Sequence, residues 1–200
     1  MARNVKVVVN NKAVLREVVS SGKRALSLKM RKAIDPKIQD KQKNLLKDFD
    51  THPVTAEIKA GPNASNSSGL TGGYGNLFSF IGFDSNSNPT AAIREILDRK
   101  IVYKVKSLNV RGKFEISLTI PSLEEIFSVS PIPWADGLSW VQGIEKGISN
   151  IGSYVYSNKE LVGSRSGSGL QVKKGVGNQF KTTPYISKII KDFKNSLKKL

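Results

Sequence analysis

The chain contains no cysteine, a single histidine and no long apolar run. Without cysteine it forms neither disulfide bonds nor thiolate metal sites, and thiol catalysis is excluded. One histidine, His52, cannot build a multi-histidine metal site, and its place beside Pro53 predicts an exposed side chain. No apolar run approaches the roughly 20 residues of a membrane span, and Val5–Val9 is too short for a secretory signal. We expect a protein used without translocation, with no cofactor and no membrane contact.

Acidic residues are scarce, because 16 Asp and Glu stand against 32 Lys and Arg and leave a formal net charge of +16. The excess lies at the two ends. Residues 1–50 hold 13 basic and 5 acidic groups, residues 151–200 hold 10 and 2, and residues 51–150 hold 9 of each. Such a balance indicates an acidic partner: nucleic acid, an acidic protein surface or anionic lipid. We expect a neutral body with basic extremities.

Residue types that support catalysis are present but are not arranged for it. The loop Gly69–Gly75 continues into Asn76–Leu77, whereas a phosphate-binding loop needs Lys and Ser or Thr there. Glu124 and Glu125 are adjacent and point to different helix faces. The run Gly163–Gly169 is only similar to a Gly-x-Ser-x-Gly elbow, and it lies in a basic, glycine-rich segment without a strand-to-helix signal. The sequence predicts a protein that is not an enzyme.

Hydrophobic periodicity predicts an α+β fold in which a long N-terminal helix and a C-terminal helix pack on an antiparallel sheet with a central hairpin, with extended arms. The sheet signals are Val5–Val9, the alternating segment Val54–Ala60 and the hairpin Ile101–Ile120, with a turn at Asn109–Gly112 and buried Phe114, Ile116 and Leu118. A short strand is also expected at Tyr154–Tyr156. Pro131 and Pro133 impose an extended path.

Helical spacing is found in several segments of the chain. The predicted helices are Asn11–Ala33 and Lys37–Phe49 (one long helix or two pieces, because Pro36 ends or kinks it), Thr90–Lys100, Ser122–Phe127, a helix after Asp136 as cap, and Thr183–Leu200. These elements divide into residues 1–53, an N-terminal strand and basic helix; 54–162, the α+β body; and 163–200, a basic Gly/Ser-rich loop and amphipathic helix. Together they form one structural domain.

The most informative segment is Gly69–Phe83, which we call the glycine-aromatic motif. Its glycines permit positive φ and close backbone approach, while its aromatic side chains require burial. Two interpretations follow: a loop that enters a core strand, or a docking element for another subunit. Because the aromatic side chains exceed what a short loop shields, we expect a subunit interface. Its predicted residues are Gly72, Gly73, Gly75, Phe78, Phe80 and Phe83.

Basic residues concentrate in the Gly/Ser-rich segment Gly163–Gly177 and on the N-terminal helix. The predicted contact residues in and after that segment are Arg165, Lys173, Lys174 and Lys181. On the helix, Lys23, Arg24, Arg31 and Lys32 could neutralise phosphates. No zinc finger, aromatic-basic RNA-binding strand or helix-turn-helix accompanies them, so basic faces that are simply solvated remain the alternative.

Several segments together resemble the minor virion proteins of tailed bacteriophages, found among neck, connector and tail-completion components. They are Gly72-Gly73-x-Gly75-Asn76-Leu77-Phe78-Ser79-Phe80-Ile81-Gly82-Phe83, Asn88-Pro89 opening a helix, Trp134 and Trp140 with Gly143-Ile144, Ser164-Arg165-Ser166-Gly167, and Pro184–Phe193. The likeness runs from about Val54 to the C-terminus and covers the N-terminal helix less. Its motifs are distinctive but not chemical.

The resemblance implies an α+β subunit without a cofactor. That subunit would work in a ring around the DNA channel, between the head portal and the tail tube. Its expected partners are copies of itself, neighbouring portal, neck or tail proteins, and packaged DNA. The expected location is the virion, assembled in the host cytoplasm. The alternative is a cellular basic protein that binds RNA or DNA.

Overall fold

The computed structural model describes residues 3–9, 23–71, 75–106, 114–133, 135–146 and 182–198. The elements in chain order are β1 (Arg3–Val9), α1 (Lys23–Thr51), α2 (Pro53–Lys59), α3 (Leu77–Ile81), α4 (Ala91–Arg99), β2 (Val102–Lys106), β3 (Phe114–Ile120), α5 (Leu123–Ser128), β4 (Pro131–Ile132), β5 (Ala135–Ser139), α6 (Trp140–Lys146) and α7 (Ile186–Leu197). The predicted α+β class is confirmed, with a long N-terminal helix, a C-terminal helix and antiparallel sheets.

Helix α1 is a single helix of 29 residues that runs through Pro36. Proline in a helix interior removes one backbone hydrogen bond and crowds the preceding turn. The helix persists because one buried stripe continues on both sides of Pro36, which is itself exposed. The stripe consists of Met30, Ile34, Ile38, Leu45 and Phe49. Of the two predicted alternatives, one long helix is confirmed from Lys23 onward and an end at Pro36 is wrong, while residues 11–22 lie outside the described part.

The strand predicted at Val54–Ala60 is wrong, because Pro53–Lys59 forms helix α2. Its buried side chains, Val54, Thr55, Glu57 and Ile58, follow the i, i+1, i+3, i+4 pattern of a helix face. Proline at the first helical position is pre-organised for a helix. His52 caps this start, since its Nδ1 accepts a hydrogen bond of 3.3 Å from the Val54 amide. The alternation of Val54 and Ile58 with polar residues misled the prediction.

The larger sheet has the strand order β1-β3-β2, with both pairings antiparallel. The predicted hairpin strands are confirmed, and the centre of the sheet is β3 alone, flanked by β1 and β2. Ile116 pairs with Val7 on one side and with Val105 on the other. Ile116, Leu118 and Ile120 are buried, as the alternation predicts. The Phe114 side chain and the turn at 109–112 lie outside the described part.

The helices after the sheet begin at polar caps. Helix α5 has a capping box in which the Ser122 hydroxyl accepts from the Glu125 amide and the Glu125 carboxylate accepts from the Ser122 amide. The prediction that Asp136 caps the next helix is wrong, because Asp136 is exposed within β5. Ser139, directly before α6, accepts from the Gln142 amide at 3.2 Å and takes that place.

The C-terminal helix α7 is confirmed, with a fully buried apolar stripe. The stripe consists of Ile186, Ile189, Ile190, Phe193 and Leu197. Helix α7 packs on α1, and both contribute to one core together with α3, α4 and α6. Among the described residues, no helix combines the length and apolar character needed to cross a membrane. The predicted strand Tyr154–Tyr156 and the segment Gly163–Gly177 lie outside the described part.

Candidate functional site: the glycine-aromatic motif and the basic surfaces

The aromatic end of the glycine-aromatic motif is a short helix inside the core. All five residues of α3 are buried, and Phe78, Phe80 and Phe83 are each only 1–2% exposed. The premise that these side chains need a partner subunit is therefore wrong, because the chain buries them itself. The predicted entry into a core strand is also corrected, since the segment is helical. Gly75 is exposed, and Gly72 and Gly73 lie outside the described part.

The N-terminus of α3 is fixed by two polar side chains. Asn76 Oδ1 accepts from the Ser79 amide at 2.9 Å, while its Nδ2 donates to the carbonyls of Pro62 and Ala64 at 2.7 and 2.9 Å. One asparagine thus caps the helix and ties it to the preceding loop. An apolar residue at this position would remove the hydrogen bonds to the Ser79 amide and to the carbonyls of Pro62 and Ala64.

Glu57, on α2, supplies the second support for α3. Its Oε1 accepts from the Leu77 amide at 2.6 Å and its Oε2 from the Ser68 amide at 2.7 Å. The side chain is 1% exposed. Burying a carboxylate is costly unless hydrogen bonds compensate it. Glu57 therefore holds the loop and the start of the aromatic helix together from below, a role that the misassigned strand concealed.

The glycines of the described motif sit where the backbone requires them. Gly82 ends α3 with a φ of 81°, and the amides of Gly82 and Phe83 donate to the carbonyls of Ser79 and Phe78 at 3.1 and 3.2 Å. This is the left-handed helix ending that glycine favours. Gly75, with a φ of 66°, turns the chain into the Asn76 cap. The spacing Gly-Asn-x5-Gly is thus the signature of a five-residue capped helix.

Aromatic rings connect this helix to the rest of the core. Phe83 lies 5.4 Å from Phe78 and packs edge-on to Trp140 with ring centroids 5.8 Å apart. Trp140 lies 6.3 Å from Tyr185, which stacks on Phe49 at 6.3 Å. Such pairs add to the energy of apolar burial. Residues from α1, α3, α6 and the segment before α7 thereby form one aromatic cluster.

The polar edge of this cluster is formed by three side chains. The Tyr185 hydroxyl and Thr55 Oγ1 are hydrogen-bonded at 2.5 Å, both without exposure to solvent. Burial raises the pKa of Tyr185. The His52 ring lies 4.7 Å from the Tyr185 ring. Burial, aided by the charge of Lys188, lowers the pKa of His52. The prediction of an exposed histidine is wrong, because His52 is half-buried.

Glu145, on α6, holds the start of α7. Its Oε1 accepts from the amides of Tyr185 and Ser187 at 3.1 and 2.8 Å, and its Oε2 accepts from the Ser187 hydroxyl at 2.6 Å. A carboxylate at a helix N-terminus is favoured by the helix dipole. The Thr183 amide also donates to the Ile144 carbonyl at 3.2 Å. Positions 144 and 183, which bracket 147–181, are therefore adjacent in space.

The predicted basic contact residues Arg165, Lys173, Lys174 and Lys181 all fall within 147–181, outside the described part. Elsewhere, acidic groups of the body hold cations. Asp50 binds both Lys59 and Arg94 at 3.1 Å, and Glu125 binds Lys100 at 3.1 Å. Burial opposes ionisation of Asp50, but the hydrogen bonds from Arg94 and Lys59 outweigh it and lower its pKa.

A cavity of about 260 Å³ opens between the start of α5 and one side of α7. Its polar lining includes Ser122 and Ser187, whose hydroxyls are engaged in the two helix caps described above, together with Lys191 and Lys194. Within the described ranges, no group of three or more His, Asp or Glu residues is placed to hold a metal ion. With Glu124 also in the lining, the cavity presents two cations and one carboxylate beside structural hydroxyls.

Comparisons with protein-family models, with curated proteins and with solved structures find no significant match to this chain.

Proposed function

We propose that the chain is a structural component of a tailed-phage virion, forming a ring in the head-to-tail neck or at the tail end that joins it. One observation supports this most. The described segments that carry the resemblance, far apart in sequence, meet in one aromatic cluster: Phe83 from the motif, Trp140 from the second segment and Tyr185 from the C-terminal one. Segments that pack together in the core serve the architecture of the subunit rather than a chemical site.

The geometry of the motif also favours architecture over chemistry. Asn76 in the motif and Glu57, which supports it from α2, both use their hydrogen-bonding groups on backbone amides and carbonyls. The proposal therefore includes that the chain is not an enzyme. With Phe78 and Phe80 inside the subunit, contacts between copies would use surfaces other than these side chains. One such surface is the edge strand β2, where Val102 is 51% exposed.

A basic nucleic-acid-binding protein is the second candidate. The net charge of +16 favours it, as do lysines on α1 that have no ion-pair partner among the described residues. The two candidates differ in assembly. A ring component must associate with itself, whereas a simple nucleic-acid-binding protein of this type needs only its basic surface.

Electron microscopy tests the proposal directly. The purified full chain should form closed rings in negative stain, and sedimentation should give a single oligomer with a mass well above 21.9 kDa. Gold-labelled antibodies should bind particles at the neck or the tail end. A protein that stays monomeric, is absent from particles and binds nucleic acid with a steep salt dependence would instead support the second candidate.

A further inference from the structure

Four lysines lie in a row along the solvent side of α1: Lys29, Lys32, Lys43 and Lys47. Their offsets of 3, 14 and 18 residues place them on one face, because an α-helix repeats every 3.6 residues. The buried stripe from Met30 to Phe49 occupies the opposite side. All four are exposed. At 1.5 Å per residue, the row extends over about 27 Å.

The charge of this row is not compensated within the described residues. None of the four lysines forms an ion pair there, while the nearby carboxylate of Asp50 is held by Lys59 and Arg94. Asp40 is the one carboxylate in the middle of the row, and its Oδ2 accepts from Asn44 at 3.5 Å. The four exposed positive charges repel one another. A partner of opposite charge relieves this repulsion, so the row favours binding to an anion.

We propose that the lysine row of α1 binds the phosphate backbone of double-stranded DNA without reading its sequence. A duplex carries about one negative charge per 1.7 Å, so it offers a continuous line of phosphates beside the whole row. Lysine contacts phosphates as a flexible point charge and carries no base-specific geometry by itself. A row spread along a rigid helix fits an extended polyanion better than a compact ligand.

The surroundings of the row argue against other anionic partners. Binding of single strands relies on aromatic side chains on which bases stack, and α1 contains only one aromatic residue, Phe49, which is fully buried. An amphipathic helix that binds a lipid surface inserts its apolar face, whereas the apolar stripe of α1 faces the core, which leaves only electrostatic attraction to lipid. Leu28, 60% exposed, is the only large apolar side chain that the described part of α1 presents to solvent.

This inference rests on the proposed function in one respect, namely that duplex DNA lies beside the protein in the particle. The two can fail separately, because ring formation is judged by microscopy and the lysine row by DNA affinity. Rings that do not bind DNA through α1 would refute only the inference. A monomer that binds duplex DNA through α1 would refute only the ring.

The test measures binding of the full chain to a labelled duplex of about 30 base pairs, by fluorescence anisotropy, between about 50 and 200 mM salt. The variant K29Q/K32Q/K43Q/K47Q removes the row. The matched control K146Q/K188Q/K191Q/K198Q removes four exposed lysines, one at the end of α6, two on α7 and one directly after α7, so both proteins change from +16 to +12. Glutamine has a helix propensity close to that of lysine, which preserves α1.

Each phosphate contact contributes about 0.9 to the slope of log affinity against log salt, so loss of the row should flatten the slope by up to about 3.6. The control should keep most of the parent slope, and the variant with arginine at all four row positions should bind like the parent. Equal losses in both glutamine variants would overturn the proposal, since only net charge would then matter. Failure of the parent to bind the duplex, or equally row-dependent binding of a single strand or of anionic vesicles, would overturn it too.

Discussion

Glu57 accepts a hydrogen bond of 2.6 Å from the backbone amide of Leu77, 20 residues later in the chain. Through its other oxygen it accepts from Ser68, so one buried carboxylate holds two points of the loop that precedes α3. The glycine-aromatic motif thus depends on a residue outside itself. Both carboxylate oxygens of Glu57 accept hydrogen bonds from backbone amides.

Removing the Glu57 carboxylate should lower the free energy of unfolding. In Glu57→Ala the buried Leu77 amide and the part-buried Ser68 amide lose their acceptor, and a buried unsatisfied group costs about 1–3 kcal/mol. Glu57→Gln keeps one acceptor oxygen and should lose less. Urea denaturation measures both, with the exposed Asp84→Ala as the control. Equal stability of Glu57→Ala and the control would contradict the role assigned to Glu57.

Because Phe80 is buried within the chain, its truncation should lower the free energy of unfolding, rather than affect assembly alone. Phe80 is 2% exposed in the core, and Phe→Ala at such a site costs about 3–5 kcal/mol. Leu28→Ala, at an exposed position on α1, should change stability by far less. Thermal and urea unfolding compare the two. A Phe80→Ala protein that unfolds like the parent but fails to assemble would restore the interface prediction made from the sequence.

Substitution of Gly82 should lower the free energy of unfolding, and the loss should be larger for residues that adopt positive φ less readily. At a φ of 81°, alanine should destabilise the chain by about 1–2 kcal/mol. Asparagine tolerates the left-handed region better and should recover part of that loss. Asparagine is the larger residue, so a smaller loss with asparagine than with alanine, read from denaturant midpoints, would indicate backbone strain rather than packing. Identical midpoints for Gly82→Ala and Gly82→Asn would argue against this explanation.

Sequence periodicity predicted the elements whose patterns are long and unambiguous. The stripe of α7 and the alternation of β3 repeat over several turns or pairs, so one register dominates. The segment Val54–Ala60 is short, and its side chains fit both a strand and a helix. The cap at His52 and Pro53 decided the outcome, and that local signal is visible in the sequence.

The candidate site was harder to predict, because burial is a property of the whole fold. The aromatic residues of the motif need cover, and the sequence alone does not show whether Trp140 and Tyr185 or a second subunit provide it. Glu57 could not be found by pattern, since its partners are backbone amides 11 and 20 residues away. The Gly-Asn-x5-Gly spacing, in contrast, carries a readable signal for a short helix with an asparagine N-cap and a glycine end.

Stability should fall as the pH decreases below about 6.5, the ordinary pKa of histidine. The pKa of His52, the only histidine, is lowered in the fold by burial and by Lys188, while Glu145 opposes the shift. Above pH 6.5 both states carry neutral histidine and this contribution is fully present. Below it the unfolded chain binds the proton first, so stability is lost until the folded histidine also titrates.

The variant His52→Asn keeps a side-chain acceptor for the α2 cap but does not titrate. The free energy of unfolding is measured by urea denaturation of both proteins between about pH 5 and pH 7.5. It should decrease with falling pH in the parent and change little in the variant. Asp50, whose pKa is lowered, contributes its own loss only at more acidic pH. A slope of the same size in both proteins would assign the effect to another group.

The basic Gly/Ser-rich segment Gly163–Gly177 should act by contact and be dispensable for folding. Its removal keeps the residues that hold the start of α7, because Thr183 donates to Ile144 and Ser187 donates to Glu145. We expect the shortened chain to melt like the parent but to lose assembly or DNA retention. The milder variant R165Q/K173Q/K174Q should show a weaker form of that loss at full stability. Unchanged assembly and DNA retention across a range of salt, in both variants, would show that these basic residues are not the contact surface.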